Sequence, residues 1–277
     1  MADKLTTQPP ATPFYKLSYP APHILLVTID RERNMNAIPI SGHWDGERLW
    51  HWFDEEPELR VAIVTGAGSK AFCAGADLKE QAEKNQNPGS IESLPFPVGG
   101  FMGLTRRVGK KPVIAAVNGF ALGGGFEIAL NCDMVVASPK ATFGLPEVKR
   151  GLFAAAGGIP RVVRIFGMQK AGEIAMAGHV LSAEEAASHG FARVAKSPET
   201  LIDEAVALAS AVADMSPDAI IVTRHGLRET WETASVERVA QLNQERYGKA
   251  LMQGDNLRIG LMAFVMKEKP EWVPSKL

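Results

Sequence analysis

Three consecutive glycines, Gly123, Gly124 and Gly125, constrain this chain more than any other feature. They separate an apolar, β-branched run at 112–117 from Phe126-Glu127-Ile128-Ala129-Leu130, which has the composition of a buried helix. The run reads as a buried strand, and Asn118-Gly119 turns it. Glycines at a helix start leave backbone N–H groups uncovered and let a ligand approach the main chain. The helix N-terminus also favours negative charge. Such a junction suits an oxyanion hole or a phosphate cradle. Glu127 follows at once, and Glu147 lies twenty residues further on (147 − 127), beyond a second apolar segment at 134–137. Spacing alone also fits a tight strand-to-helix turn with two surface carboxylates.

A length of 277 residues suffices for one large domain or two small ones. With 30 basic and 31 acidic residues the chain has no basic field to hold nucleic acid. No apolar run approaches the ~20 residues that span a bilayer. Cys73 and Cys132 sit in apolar sequence and read as buried packing in a reducing compartment. The Pro/Thr-rich start reads as an extended tail. Ser275-Lys276-Leu277 matches the peroxisomal address, and Pro274 is expected to keep it exposed for an import receptor.

The chain divides into a tail at 1–20, a mixed α/β core at 21–215 and a helical region at 216–277. Residues 24–29 and 61–65 read as buried strands, and Ser41 as the cap of a helix running to about residue 55. Residues 81–100 read as a long loop or lid, and Phe101, Met102 and Leu104 as a helix leading into the strand at Pro112. Helices are expected at 157–166 and 169–176. Ser182-Ala183-Glu184-Glu185 reads as a capping box, 191–194 as a short strand, and Pro198 as the first turn of a helix to about residue 214. Three helices follow at 217–233, 235–252 and 257–267. Strands separated by helices argue for βα-type units.

Several decoys fall away. Gly66-x-Gly68-x-x-Ala71 approximates a dinucleotide fingerprint, but the polar region downstream offers no strand end for the ribose-binding acid. There is no G-x-S-x-G elbow and no zinc-binding spacing. The six histidines are scattered and read as surface or capping residues, and Lys79-Glu80 as part of a solvated helix face.

Four pieces occur in order: N-M-N-A at 34–37, A-F-C-A-G-A-D-L at 71–78, P-V-I-A-A-V-N-G-F-A-L-G-G-G-F-E at 112–127, and F-G-L-P-E at 143–147. By these the chain resembles the crotonase (enoyl-CoA hydratase) superfamily over nearly its whole length. The resemblance implies an α/β crotonase spiral of repeated ββα units followed by a helical trimerisation region, assembled as a homotrimer or a dimer of trimers. It implies reversible syn addition of water to a 2-enoyl-CoA. Glu127 would activate the water and Glu147 would deliver the proton, while the Ala74 and Gly124 amides form the oxyanion hole. Met35, Ala37, Ala76, Asp77 and Leu78 would line the CoA channel. Phe264 and Lys267 would help cover the CoA of a neighbouring subunit. No metal or redox cofactor is implied, since CoA is part of the substrate.

Two departures stand out. The 81–100 segment is longer than in short hydratases, and Phe153-Ala154-Ala155-Ala156-Gly157-Gly158 replaces the common P-G-A-G-G pattern. Backbone donors survive that replacement, while the pocket shape changes. An isomerase or lyase of the same fold remains open, as does an RNA-binding or scaffold member; the intact glutamate pair and near-neutral charge speak against the latter. The resemblance leaves the acyl group open. Fungal peroxisomal hydratases of this type act in fatty-acid β-oxidation or on mevalonyl-CoA in siderophore synthesis.

Overall fold

Continuous apolar runs place the central strands. In the computed structural model, which describes residues 5–80, 96–233 and 235–277, β1 (Tyr15–Ser18), β2 (Ile24–Ile29), β3 (Val61–Gly66), β5 (Val113–Val117), β7 (Met134–Ala137) and β10 (Arg193–Val194) form one sheet in the order 1-2-3-5-7-10. Strands β4 (Ala71–Cys73), β6 (Phe120–Leu122), β8 (Thr142–Gly144) and β9 (Val180–Ser182) form a second sheet in the order 4-6-8-9. Successive pairs β3–β4, β5–β6 and β7–β8 each send one strand to each sheet, and neighbours within a sheet are parallel there. That is the expected spiral of ββα turns.

Every residue of β3 and β5 is buried, because both faces are covered. Ala62, Val64, Val113 and Ala115 face the main core with Phe72, Phe126 and Phe143. Val61, Ile63, Ile114 and Ala116 face outward onto Ala205, Ala209 and Ala213. Alanine at every fourth position presents a smooth stripe, so that helix can lie close on the sheet.

Helix α1 (Ile40–Glu55) crosses the main core, and α2 (Gly124–Asn131) runs back from the end of β6. The others are α3 (Gly158–Met176), α4 (Ala183–Ser188), α5 (Leu201–Ala213), α6 (Pro217–Thr233), α7 (Val236–Asn243), α8 (Lys249–Gln253) and α9 (Asp255–Met266). Gly167 interrupts α3 with φ 78, which separates the two helices expected there. Ser182 caps α4 by accepting from the Glu185 N–H at 3.0 Å, as expected. The Glu185 carboxylate turns instead to His179.

Several expectations are corrected. Ser41 lies inside α1; Glu80, expected on a solvated face, accepts from the Ile40 N–H at 2.9 Å. Phe101–Gly103 is a single 3-10 turn rather than a helix, because Met102 is left-handed at φ 57. Helix α5 begins at Leu201, since Ser197 and Thr200 bond each other and turn the chain around Pro198. Part of the expected tail pairs antiparallel with β2 as β1, and Thr6 and Thr7 donate to Glu56. The lid expected at 81–100 lies outside the described residues except for 96–100.

The C-terminal tail is fastened to the body. Trp272 donates to the Asp214 carbonyl at 2.8 Å, and Arg60 donates to the Trp272 carbonyl at 3.1 Å. Asn256 and Val273 exchange two bonds. Ser275 donates to the buried Asp218, and Lys276 pairs with Asp255 at 2.8 Å. Leu277 is half-buried beside a cavity of about 230 Å³. The expectation that Pro274 holds the tripeptide free is therefore corrected.

Candidate active site

The glycine junction is built from three constraints. Gly123 adopts φ 56 and donates its N–H to the Gly144 carbonyl at 2.9 Å, tying β6 to β8. A side chain at Gly125 would place its Cβ 2.0 Å from the Cys73 carbonyl, so only glycine lets α2 approach β4 this closely. At Gly124 a Cβ would lie 2.7 Å from the Phe101 ring. The Gly124 N–H belongs to the first turn of α2 and has no intrahelical acceptor.

Facing this junction is the segment after β4. The Ala74 N–H donates to the Met35 carbonyl at 3.1 Å, so it is not available to a ligand, and its expected oxyanion role is corrected. Ile38 spans the next stretch, donating to the Gly75 carbonyl and accepting from the Asp77 N–H. Between those bonds, the Ala76 N–H has no acceptor among the described residues. Gly75, at φ 95, brings this segment against α2: its Cβ would stand 3.5 Å from the Gly124 nitrogen. Among the described residues, the amides of Ala76 and Gly124 are the uncommitted pair facing each other at this cleft.

Glu127 sits in the first turn of α2, buried to 3% exposure. Burial pushes its carboxyl up to about 7, opposed by the Gly158 N–H, which donates to Oε1 at 2.8 Å, and raised further by the Glu147 charge. The Gly158 donor comes from the start of α3, so the substituted 153–158 stretch does keep its backbone donors. Arg161, which bonds Asn131 at 2.7 Å and the Gly157 carbonyl at 3.0 Å, also favours the ionised form. Glu147 lies in the first turn of a 3-10 segment, Pro146–Arg150. Burial raises its carboxyl too, and its Oε2 is enclosed without a partner among the described residues. The Glu147 Oε1 is 3.0 Å from where a Gly123 Cβ would be. Glu147 therefore lies against Gly123 and Glu127 against Gly158, near enough for the Glu147 charge to act on Glu127, and burial raises both carboxyls, that of Glu127 to about 7.

The other expected residues divide into two groups. Met35 is left-handed at φ 53 and holds Ala74. Asp77 pairs with Arg31 at 3.0 Å, and the same guanidinium donates to the Ala37 carbonyl. This ties 35–37 to 74–78 along one edge of the cleft, with Leu78 exposed. Phe264 is 84% exposed on α9, and Lys267 is its left-handed cap. Among the described residues neither is joined to the glutamates within the chain. Phe101, whose ring lies over Gly124, and Arg161, whose charge favours ionised Glu127, were not assigned to the site from sequence. The apolar spacing around Phe101 marks it only as core.

A family model described as enoyl-CoA hydratase/isomerase matches residues 21–274. A mevalonyl-coenzyme A hydratase of Aspergillus fumigatus is 48% identical over 261 residues, covering 94% of this chain and 95% of that protein. One from Beauveria bassiana is 46% identical over 278 residues, covering 98% and 99%. A carnitinyl-CoA dehydratase of Escherichia coli K12 is 38% identical over 253 residues, covering 90% and 94%. Among solved structures, an enoyl-CoA hydratase from Mycobacterium marinum superposes with a TM-score of 0.84 at 33% identity, covering 94% of this chain and 98% of that one.

Proposed function

The chain belongs to the enoyl-CoA hydratase/isomerase family and is a hydro-lyase, and on that premise we propose that Glu127 and Glu147 catalyse the reversible dehydration of mevalonyl-CoA. The observation that carries the chemistry is a pair of carboxyls, Glu127 buried and Glu147 partly so, both raised by burial and set beside a glycine junction with uncommitted amides. The near-half identity to two mevalonyl-coenzyme A hydratases over almost the full chain supports the substrate.

In the hydration direction, the Ala76 and Gly124 N–H groups hold the thioester oxygen and stabilise the enolate, a contribution of roughly 10²–10³ in rate per donor. Glu127, whose Oε1 already accepts from Gly158, takes the ionised role and draws a proton from water attacking C3. Glu147, with an oxygen enclosed and unpaired among the described residues, takes the protonated role and delivers its proton to C2. The roles exchange in dehydration, and the two carboxyls titrate as one unit.

Met35, Ala37, Ala76, Asp77 and Leu78 line the CoA channel in this reading. Phe264 and Lys267 serve a neighbouring subunit of a trimer or a dimer of trimers. The exposed apolar side chains of α9, Leu261, Met262, Phe264, Val265 and Met266, support such an assembly. The Ser275-Lys276-Leu277 ending is read as a peroxisomal address.

A panel of straight-chain, branched and 3-hydroxy-3-methyl acyl-CoAs, followed at the enoyl-thioester absorbance, tests the function. Mevalonyl-CoA is expected to give the highest kcat/KM. A higher value for crotonyl-CoA hydration removes the substrate assignment, and turnover of no acyl-CoA removes the catalytic one.

A further inference from the structure

One polar side chain near the junction has no part in the hydration chemistry. His43 lies on the buried face of α1 at 4% exposure. The Met102 N–H donates to its Nδ1 at 3.1 Å, so that nitrogen carries a lone pair. Burial lowers the imidazole to about 4, so the ring is neutral at physiological pH and its single proton is on Nε2. Among the described residues Nε2–H has no acceptor. The ring lies 4.4 Å from that of Phe101 and 5.0 Å from that of Phe96, centroid to centroid. The Phe101 ring in turn occupies the space over Gly124. A line of neighbours therefore runs from the Gly124 Cα, through the Phe101 ring, to a histidine with one proton to give.

Nε2 is not one of the enclosed side-chain atoms that lack a partner, so water reaches it in the free protein; the two rings beside it are apolar, and an acyl group that displaces that water without replacing its bond is disfavoured. A ligand oxygen arriving between the rings would satisfy Nε2–H.

We infer that His43 is a specificity-determining residue whose Nε2–H donates to a hydroxyl oxygen at the far end of the acyl chain, with Phe96 and Phe101 enclosing the carbons before it. The inference rests on the proposed substrate class. A mevalonyl group carries a second hydroxyl, on C5, which takes no part in the reaction at C2 and C3 and is present in both substrate and product. A straight-chain or branched hydrocarbon acyl group lacks it and would leave Nε2–H unpaired. A site built to bond a hydroxyl rejects the analogue lacking it strongly, by up to about 10⁴–10⁵ where pairing is complete.

The test uses the full-length protein with 5-hydroxy-3-methylpent-2-enoyl-CoA and its 5-deoxy analogue, and the readout is the ratio of their kcat/KM values. The wild type is expected to favour the hydroxylated thioester by about 10²-fold or more. His43→Phe should bring the ratio to within a few-fold of one. His43→Gln, which can both accept from Met102 and donate, should recover part of the preference. A preference that survives intact in folded His43→Phe overturns the role of His43 and leaves the substrate assignment standing. A wild type with no preference overturns both. Because His43→Phe strips Met102 of its acceptor and can fail to fold, a wild-type measurement stands beside it. A saturated 5-oxo acyl-CoA, which can only accept, should bind as tightly as its 5-hydroxy counterpart and at least tenfold more tightly than the 5-deoxy one. Binding no tighter than the deoxy compound overturns the inference.

Discussion

Replacing Glu127 by glutamine should abolish most activity and make the protein more stable, by an amount that depends on pH. The carboxyl is raised from 4.5 to about 7 in the folded chain. Below pH 4.5 it is protonated in both folded and unfolded states, and the difference has no effect. As pH rises from 4.5 towards 7 the unfolded chain ionises while the folded chain holds its proton, so folding stability falls. The full loss is about 2.5 pK steps (7 − 4.5) at 1.36 kcal/mol each, or about 3 kcal/mol, reached above pH 7. At pH 5 it is still under about 1 kcal/mol. Glutamine keeps an oxygen for the Gly158 N–H and cannot ionise, so Glu127→Gln escapes the loss. Thermal unfolding at pH 5 and pH 8.5, read by tryptophan fluorescence, should show the variant's advantage growing by roughly 4–8 °C between the two. An advantage that is constant with pH, or that shrinks as pH rises, refutes the assignment of Glu127 as the buried proton-retaining carboxyl. Activity should fall ~10²–10⁴-fold in the same protein.

Glu147→Gln should lose turnover by a similar ~10²–10⁴ factor, and the double variant should lose far less than the product of the two, because the pair acts as a unit; steady-state kinetics on the three proteins decides it. Ala76→Pro deletes one proposed oxyanion donor and should cost roughly 10²–10³ in kcat with circular dichroism unchanged. Arg224→Ala should destabilise by about 1–3 kcal/mol in denaturant titration, since the partly buried Asp133 loses the guanidinium Nε that lies 2.9 Å from both its oxygens and keeps only the guanidinium of Arg228, at 3.1 Å. Phe264→Glu should shift the assembly towards monomer in light scattering, which an α9 face unused in assembly would not do.

Much of the frame was legible in the sequence because burial writes itself into composition. Val-Ala-Ile-Val-Thr at 61–65 and Val-Ile-Ala-Ala-Val at 113–117 can only be strands covered on both faces. The three-residue strands β4, β6 and β8 are too short to show any period, yet they carry the second sheet and aim both glutamates. Glu127 stood out, since an acid in an apolar helix after three glycines has few uses, whereas Glu147 stood out only through the family motif at 143–147. The candidate oxyanion donors were only half legible. Ala74 and Ala76 differ in nothing a side chain reveals; what separates them is that the Met35 carbonyl takes one amide and leaves the other. His43, one of six scattered histidines, became conspicuous only when α1 buried it against the Phe101 turn.

The fastened C-terminus changes what the last three residues can signal. A receptor that reads Ser275, Lys276 and Leu277 must compete with Asp218 for the hydroxyl, with Asp255 for the ammonium and with the body of the protein for the leucine. Its apparent affinity is then its affinity for a free tail multiplied by the fraction of time that the tail is free, so a tail released one tenth of the time is read about ten times more weakly. Under the peroxisomal reading, the address is therefore partly a property of conformation. Anything that loosens Asp218 or Asp255 raises delivery without altering a letter of the signal, and a tag fused beyond Leu277 both hides the signal and pulls against the fold that holds it.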